Sequence, residues 1–383
     1  MCNRKKTAVM YGAGNIGRGF IGQVFHDSGF EVVFIDIDKD VVSALNERKS
    51  YTQLIVEGDS VRRREISGVR AVDGNDRDAV IREITGCDIM AVSVGAAVLP
   101  RIAPLLADGL AQREKALNIL VCENLAQAPD VLRGLVSEHL LNPHKLNRVG
   151  FVGTTIGRMV PFVPPQQRED DHTLIAVEKF CTLPIDGDAI VSPFPKLSHT
   201  VLFSPFAFED EKKPYIHNMG HAMVAYLGYL KGYTYIWQAM GNDALRFSVR
   251  EAMNASADAL AKKYSEDEDD LSEYVEDLLL RFGNRGLGDT VTRVGADPMR
   301  KLAPCDRFIG AINLCKEQDV DYKSILSGVA AALRFNVSDD PSAEKLQKRL
   351  KQISEITFLS DYCGLSKDDA MLCLSSQYLN PDV

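Results

Sequence analysis

Lys213-Pro-Tyr-Ile-His-Asn218-Met-Gly-His221 places an amine, a carboxamide and an imidazole within nine residues. An amine whose charged form is disfavoured can take a proton from an alcohol, and amide donors can hold the oxyanion that develops. Pro214 suits the first helical position, where its missing N–H costs nothing. The residue before a proline is pushed out of the α region, so Lys213 is expected at the mouth of a helix over 214–231. Tyr215, Ile216, Met219, Met223, Val224 and Leu227 recur at roughly helical spacing, and Gly232 offers a stop. Asn218 and His221, three apart, share a face. A lysine at the positive end of a helix dipole has its charged form disfavoured. Spacing alone favours the plainer alternative, a surface lysine beside a capping region and a satisfied core histidine.

Hydride transfer at an alcohol carbon also needs a cofactor, and the N-terminal stretch supplies its fingerprint. Residues 7–11 read as a short buried strand. Gly12-Ala13-Gly14-Asn15-Ile16-Gly17 follows, and 18–27 then reads as a helix. In that context Gly12 permits the tight turn and Gly14 lets backbone approach a pyrophosphate. Gly17 allows helix and strand to pack, and the helix N-terminus faces the anion. A second strand, 31–35, ends at Asp36, whose carboxylate suits ribose hydroxyls and repels a 2′-phosphate. NAD is therefore expected rather than NADP, with Lys39 as the one nearby cation to set against it.

The α/β rhythm continues with a helix over 40–49, a hairpin of 51–56 with 61–66, and helices over 75–85 and 99–112. Strands over 88–94 and 118–122 end at Gly95 and Glu123-Asn124. Ligands of such sheets bind beyond the carboxyl ends of the strands, so Gly95 and Asn124 point to the crevice of Gly12 to Gly17. Asn124 can equally be an ordinary turn residue. Residues 151–156 and 172–180 add strands, and 184–205 is Pro-rich and irregular.

Past Pro205 helical periodicity dominates, over 214–231, 238–263, 271–282, 308–318, 322–334, 341–353 and 367–378. The expected architecture is an α/β Rossmann-type dinucleotide-binding domain with extra strands over 1–205. A mostly α-helical substrate domain over 206–383 follows it. The run at 265–270 reads as a solvated acidic loop favouring the next helix start. The stretch 281–302 interrupts the helices with glycines and cations. Arg285, Arg293, Arg300 and Lys301 in it could meet an anion, or could cap helices and pair with Asp289 and Asp297.

With 45% hydrophobic and 25% charged residues the chain has ordinary globular proportions, and its 383 residues suffice for two domains. A net charge of −9 argues against general binding of nucleic acid or anionic membrane, though not against a phosphorylated substrate. Eight scattered cysteines form no Cys-x-x-Cys pair and no zinc-like spacing, so neither metal nor structural disulfide is expected. No run approaches a membrane helix, and a cytoplasmic location is expected. Oligomeric state leaves no trace in the sequence.

These blocks resemble the polyol-specific long-chain dehydrogenases. The likeness rests on Gly12-Ala-Gly-Asn-Ile-Gly-Arg-Gly-Phe-Ile-Gly22, Cys122-Glu-Asn124, and Lys213 followed by Asn218-Met-Gly-His221-Ala and Ala225-Tyr-Leu-Gly. Gly288-Asp-Thr-Val-Thr-Arg-Val-Gly, Asp297-Pro-Met-Arg-Lys-Leu and Asp306-Arg-Phe-Ile-Gly continue it in order to about Gly310. The resemblance implies a metal-independent, NAD-dependent interconversion of D-mannitol 1-phosphate and D-fructose 6-phosphate. It implies Lys213 as base and acid, Asn218 with Asn124 as oxyanion site, and His221 as orienter of substrate or lysine. Residues 180–212 and the tail after Asn313 match the family less closely. Mannitol 2-dehydrogenases and fructuronate or tagaturonate reductases of the family are thus the nearest competitors. A non-catalytic NAD sensor is the alternative of another class.

Overall fold

The computed structural model describes residues 6–125, 127–161, 163 and 171–375. The chain divides into two compact units, Met1–Glu209 and Asp210–Val383. In the first lie strands β1 (Thr7–Tyr11), β2 (Glu31–Asp36), β3 (Ser50–Glu57), β4 (Ser60–Ser67), β5 (Val69–Asp73) and β6 (Ile89–Val92). They are followed by β7 (Leu117–Val121), β8 (Val149–Gly153), β9 (Ile175–Glu178), β10 (Leu183–Asp186) and β11 (Thr200–Phe203).

Six strands form a parallel sheet in the order β5-β2-β1-β6-β7-β8. The chain runs outward from β1 on one side and from β6 on the other, so the order reverses between β1 and β6. Both faces are buried. Ala8, Met10, Val32, Phe34, Ile89 and Ala91 pack into one core, while Val9, Tyr11, Val33, Ile35, Met90 and Val92 pack into the other. This explains why β1, β6 and β7 are near-continuous apolar runs: alternate residues find apolar partners on either side. Each fully buried side chain of this kind contributes about 1.5–3 kcal/mol. The architecture is the Rossmann-type sheet with a mostly helical following domain that the sequence predicts.

A second sheet, β4-β3-β9, braces the glycine-rich turn. Tyr51 Oη and Gln53 Nε2, both on β3, donate to the Arg18 carbonyl at 2.8 Å each. Arg158 Nη1 donates to the Gly19 carbonyl at 2.9 Å. The expected irregularity of 184–205 is corrected in part, because β10 and β11 pair there in parallel. Val201 and Leu202 of β11 face outward, so this strand lacks the alternation that would reveal it. β5 was likewise not expected.

In the second unit the helix Met219–Leu230 is central: Met219, Gly220, Ala222, Met223, Val224, Ala225, Tyr226, Leu227 and Gly228 are all buried. A Cβ at Gly220 would press on the Met253 side chain, which shows how closely the helix Asp243–Tyr264 packs there. The single helix expected over 238–263 is instead two, Ile236–Met240 and Asp243–Tyr264. They divide at Gly241, and the Asn242 side chain accepts from Leu245 N at 2.9 Å to start the second. The helix expected from 271 begins at Glu268, with Glu268, Asp269 and Asp270 in its first turn. The stretch 281–302 carries short helices at Arg285–Leu287, Val291–Gly295 and Pro298–Lys301, capped by Asn284, Thr290 and Asp297. The last helix is Lys367–Ser375, and the expected residues 376–378 lie outside the described residues. No helix among the described residues is long and apolar enough to cross a membrane.

Candidate active site

The cofactor half lies at the carboxyl ends of β1, β2, β6 and β7. Gly12 holds φ +103°, and a Cβ there would run into the Ser93 carbonyl oxygen. A Cβ at Gly17 would run into the Gly12 carbonyl oxygen, so this glycine sets how closely helix and turn approach. Gly14 is different: it is exposed and nothing stands within 4 Å of where its Cβ would be. That open ground beside Asn15 and Ile16, at the head of a helical run, fits a pyrophosphate. The run opens with a π-helical segment, Gly17–Ile21. Asp36 Oδ2 accepts from Ala13 N at 2.6 Å and Oδ1 from Asp38 N at 3.0 Å. The carboxylate thus braces the turn while keeping lone pairs for ribose hydroxyls. Glu123 Oε1 accepts from Val94 N at 2.7 Å and Gly95 N at 3.0 Å, tying the end of β6 to that of β7. Exposed Gly95 and Asn124 flank this tie. The fit of the residues to a dinucleotide rests on Gly14, Gly12 and Asp36 together.

The candidate catalytic residues of the second unit are built on one helical run. Ala207–Lys212 is α-helical, Lys213–Asn218 is π-helical, and Met219–Leu230 is α-helical again. This corrects the expectation for Lys213, which sits inside a continuous helix rather than at its mouth. Lys212 and Asn218 both hold right-handed helical backbone, and the wider π turn accommodates Pro214, whose ring would clash in a regular α turn. The expected cause of a disfavoured charged form at this lysine, a helix dipole, changes accordingly. Lys213 keeps some exposed surface, yet its surroundings are dense: desolvation, then the charge of Arg307, lowers its pKa to about 8. No helix terminus is needed for that.

Around Lys213 the charges are arranged by neighbouring helices. Arg307, at the head of the helix Arg307–Glu317, sends Nη1 to the Asn218 carbonyl at 3.4 Å and Nε to Asp306 Oδ1 at 2.7 Å. A Cβ at Gly310 would strike the Tyr215 ring, so that helix seats directly on the π turn. His221 stacks flat on Phe282, ring centroids 4.7 Å apart and 6° between planes. Its Nε2 stands 3.8 Å from Asp289 Oδ2. Burial, then Arg293, Arg307, Lys301 and Arg281, brings His221 down to about 3, so its imidazole is neutral throughout the physiological range. His217, one turn from both Lys213 and His221, is also buried and held neutral, chiefly by burial and then Arg281.

The four cations expected to meet a phosphate do not form one cluster. Arg285 lies over the Trp237 ring, 4.6 Å from its centroid. Arg293 pairs with buried Asp289. Arg300 reaches Asp297 at 2.7 Å and Asp306 at 3.2 Å. Lys301 is buried, donates to the Ala296 carbonyl, and has its pKa lowered to about 7 by burial, Arg307 and Arg300. Arg293 and Lys301 act on His221, whereas Arg285 and Arg300 are not among its main charges. Sequence reasoning missed Arg307, Arg281 and His217 as parts of this site, and named Asp289 only as a pairing partner of the cations, which it is to Arg293. Arg307 follows the helix-capping Asp306, a signal that fixes a helix start but says nothing of what the arginine faces.

Residues 6–199 match the model of the mannitol dehydrogenase Rossmann domain, and residues 206–362 that of the mannitol dehydrogenase C-terminal domain. The chain is 35% identical to mannitol-1-phosphate 5-dehydrogenase of Brevibacillus brevis, over 94% of this chain and 93% of that one. It is 35% identical to the enzyme of the same name from Bacillus velezensis, over 97% and 99% respectively. Among solved structures it is similar to mannitol 2-dehydrogenase of Pseudomonas fluorescens in ternary complex with NAD and D-mannitol. The TM-score is 0.75, covering 98% of this chain and 92% of that one; at 16% identity the likeness concerns the fold.

Proposed function

The chain belongs to the mannitol dehydrogenase family, and on that premise we propose that it interconverts D-mannitol 1-phosphate and D-fructose 6-phosphate with NAD. Lys213 serves as general base in the oxidation and as general acid in the reduction. The observation that carries this reading is Lys213 itself, an amine on the wall of a central helix with its pKa lowered to about 8 by burial and Arg307.

The turn from Gly12 to Gly17 would hold the pyrophosphate of NAD and Asp36 its ribose, and the bound cofactor would supply hydride acceptance from the alcohol carbon and its return in the reverse direction. Neutral Lys213 takes the hydroxyl proton as that carbon loses hydride, and the ammonium gives it back in the reduction. The carboxamides of Asn218 and Asn124 donate to the oxygen on which negative charge builds. His221, neutral, carries one donor and one acceptor nitrogen, which suits it to orient a substrate hydroxyl or the lysine. Arg293 and Lys301, the two expected cations that act on His221, are the nearer candidates for the phosphate; Arg285 and Arg300 are the remoter ones. Residues 1–205 bind the cofactor and 206–383 carry the substrate chemistry.

A hexuronate is the second reading, since the cations about His221 would also suit a carboxylate. A panel of mannitol 1-phosphate, free mannitol, other polyols and hexuronates, each with NAD and NADP, separates the readings. Activity on free mannitol alone would sink the first. A sensor without turnover would show no rate on any of them, and Lys213→Ala would leave its NAD affinity as it was.

A further inference from the structure

Two imidazoles stand on the helical run that carries Lys213, and they differ in what surrounds them. His217 is buried, and its Nδ1 is sealed off without a hydrogen-bond partner. His221 keeps 16% of its side-chain surface, and neither of its nitrogens is sealed off in that way. Among the described residues no group forms a hydrogen bond with the His221 ring. What the ring does have is a platform and a carboxylate. Phe282 lies flat against it, centroids 4.7 Å apart and planes 6° apart, which holds the plane of the imidazole. Within that plane two settings remain, related by a half turn about χ2 that exchanges nitrogen for carbon. Asp289 distinguishes them, because its Oδ2 stands 3.8 Å from Nε2. That is longer than a hydrogen bond, and pairs of this kind commonly stand long until a substrate arrives.

Asp289 is itself firmly placed. Its carbonyl oxygen accepts from Ile236 N at 2.9 Å, and Val291 N donates to the Thr234 carbonyl at 3.0 Å just beyond it. The side chain is 6% exposed, and its Oδ1 is engaged by Arg293. Oδ2 makes no hydrogen bond among the described residues, so a buried acceptor is open to a donor. His221 is held neutral, chiefly by burial, and so has one N–H and one bare nitrogen. A bare Nε2 would set its lone pair against the carboxylate. An Nε2–H points a donor at it.

We propose that Asp289 is a positioning residue that sets the tautomer of His221, with the proton on Nε2 facing Oδ2 and Nδ1 left as an acceptor for a substrate hydroxyl beside the reacting carbon. The hydroxyl half rests on the polyol reading above; the tautomer half stands apart from it. A bare nitrogen cannot donate to an oxyanion. The developing charge therefore falls to the carboxamides of Asn218 and Asn124, and His221 serves to hold the substrate.

The arrangement makes a specific demand on the conservative variant. Arg293 keeps an oxygen at the Oδ1 position, so Asp289→Asn puts an amide NH₂ where Oδ2 stood. That donor calls for a bare Nε2, drives the proton to Nδ1 and turns the acceptor offered to substrate into a donor. Asp289→Ala removes the acceptor and supplies nothing in its place, so both tautomers become accessible. The amide should therefore harm substrate binding more than the methyl group does. A purely structural role gives the reverse order, since the amide keeps both the shape and the contact with Arg293.

The test uses the full-length protein with nitrogen-15-labelled histidine. NMR shows which ring nitrogen bears the proton, and the His221 signals are assigned by their loss in His221→Gln. Wild type should favour the Nε2–H form by about tenfold or more, and Asp289→Asn should favour the Nδ1–H form. KM for mannitol 1-phosphate should rise about tenfold or more in Asp289→Asn and by less in Asp289→Ala. The loss should fall chiefly on KM, with NAD affinity by calorimetry unchanged. If Asp289→Ala fails to fold, the inverted tautomer in Asp289→Asn decides the matter. A wild type with its proton on Nδ1, or an Asp289→Asn protein with the wild-type tautomer, overturns the proposal. So does an alanine variant that binds substrate worse than the asparagine variant. A wild type that turns over free mannitol or a hexuronate instead overturns the functional reading alone, and the KM comparison is made on that substrate. A protein without turnover on any of them overturns the hydroxyl half and leaves the spectrum to decide the tautomer.

Discussion

Arg307 Nη1 donates to the Asn218 carbonyl oxygen at 3.4 Å, which sets a guanidinium against the turn that carries Lys213. The arginine is 8% exposed and anchored by Asp306, so its charge is held in place. Desolvation and this charge act on Lys213 in the same direction, since both disfavour the ammonium.

The rate of polyol oxidation should therefore rise with pH through a midpoint near 8, where an ordinary lysine would give about 10.4. Replacing Arg307 by Gln removes the second cause and leaves the first. The charged form becomes less disfavoured, the midpoint moves up, and the rate at pH 7.5 falls. A pH profile of kcat for the two proteins checks this; an unmoved midpoint would detach Arg307 from the lysine.

Lys213→Met should lower turnover by about 10²–10⁴, the usual range for a lost general base, with NAD affinity unchanged by calorimetry. It should also change stability with a definite sign. The folded-state pKa is about 8 and the unfolded value 10.5, so between them the unfolded chain binds more protons. Wild-type stability thus climbs as pH rises from about 8 to 10.5, and the variant loses that climb. Below pH 8 the variant should be the more stable, by up to about 3 kcal/mol. Urea denaturation at pH 7 and pH 10 reads both effects.

The cofactor half was legible because its requirements are local. Gly12, Gly14 and Gly17 each answer a demand of a single strand–turn–helix, and Asp36 ends the next strand, so spacing carries the information. The helical run carrying Lys213 was legible in its residues but not in its geometry. Pro214 reads as a helix start by every local rule, and only packing against Gly310 and the central helix reveals a π turn instead. Lys213 was picked out, but the cause of its lowered pKa, burial and Arg307, is tertiary and had no local sign. The basic stretch 281–302 shows the same limit. Its five cations look alike in sequence, yet one stacks on Trp237, three pair with carboxylates and one is buried against a carbonyl.

In the proposed reading, cofactor choice turns on Asp36. Asp36→Ser should weaken NAD and admit NADP, shifting the ratio of kcat/KM values toward NADP by about 10² or more, since a repelling carboxylate is removed. The Ala13 amide also loses its acceptor at 2.6 Å, so NAD affinity should fall even where NADP gains. A variant that still excludes NADP would mean that Asp36 serves the turn and not the ribose.

Two glycines of the turn should separate cofactor binding from folding. At Gly17 an added Cβ meets the Gly12 carbonyl oxygen, a backbone atom that cannot swing aside, so helix and turn must part. Gly17→Ala should destabilise the first unit by about 2–4 kcal/mol and lower the melting temperature whether or not NAD is present. At Gly14 an added Cβ meets nothing within 4 Å, and the backbone is not in the left-handed region. Gly14→Ala should melt close to wild type without cofactor, because the protein itself does not use the space. What the methyl group occupies is the ground above the helix start, where a pyrophosphate must lie against backbone N–H groups. The apparent KM for NAD should rise at least tenfold while the unliganded melting temperature moves little. Thermal melts with and without NAD distinguish the two variants in one experiment. A Gly14→Ala protein that keeps wild-type NAD affinity would place the pyrophosphate away from this turn.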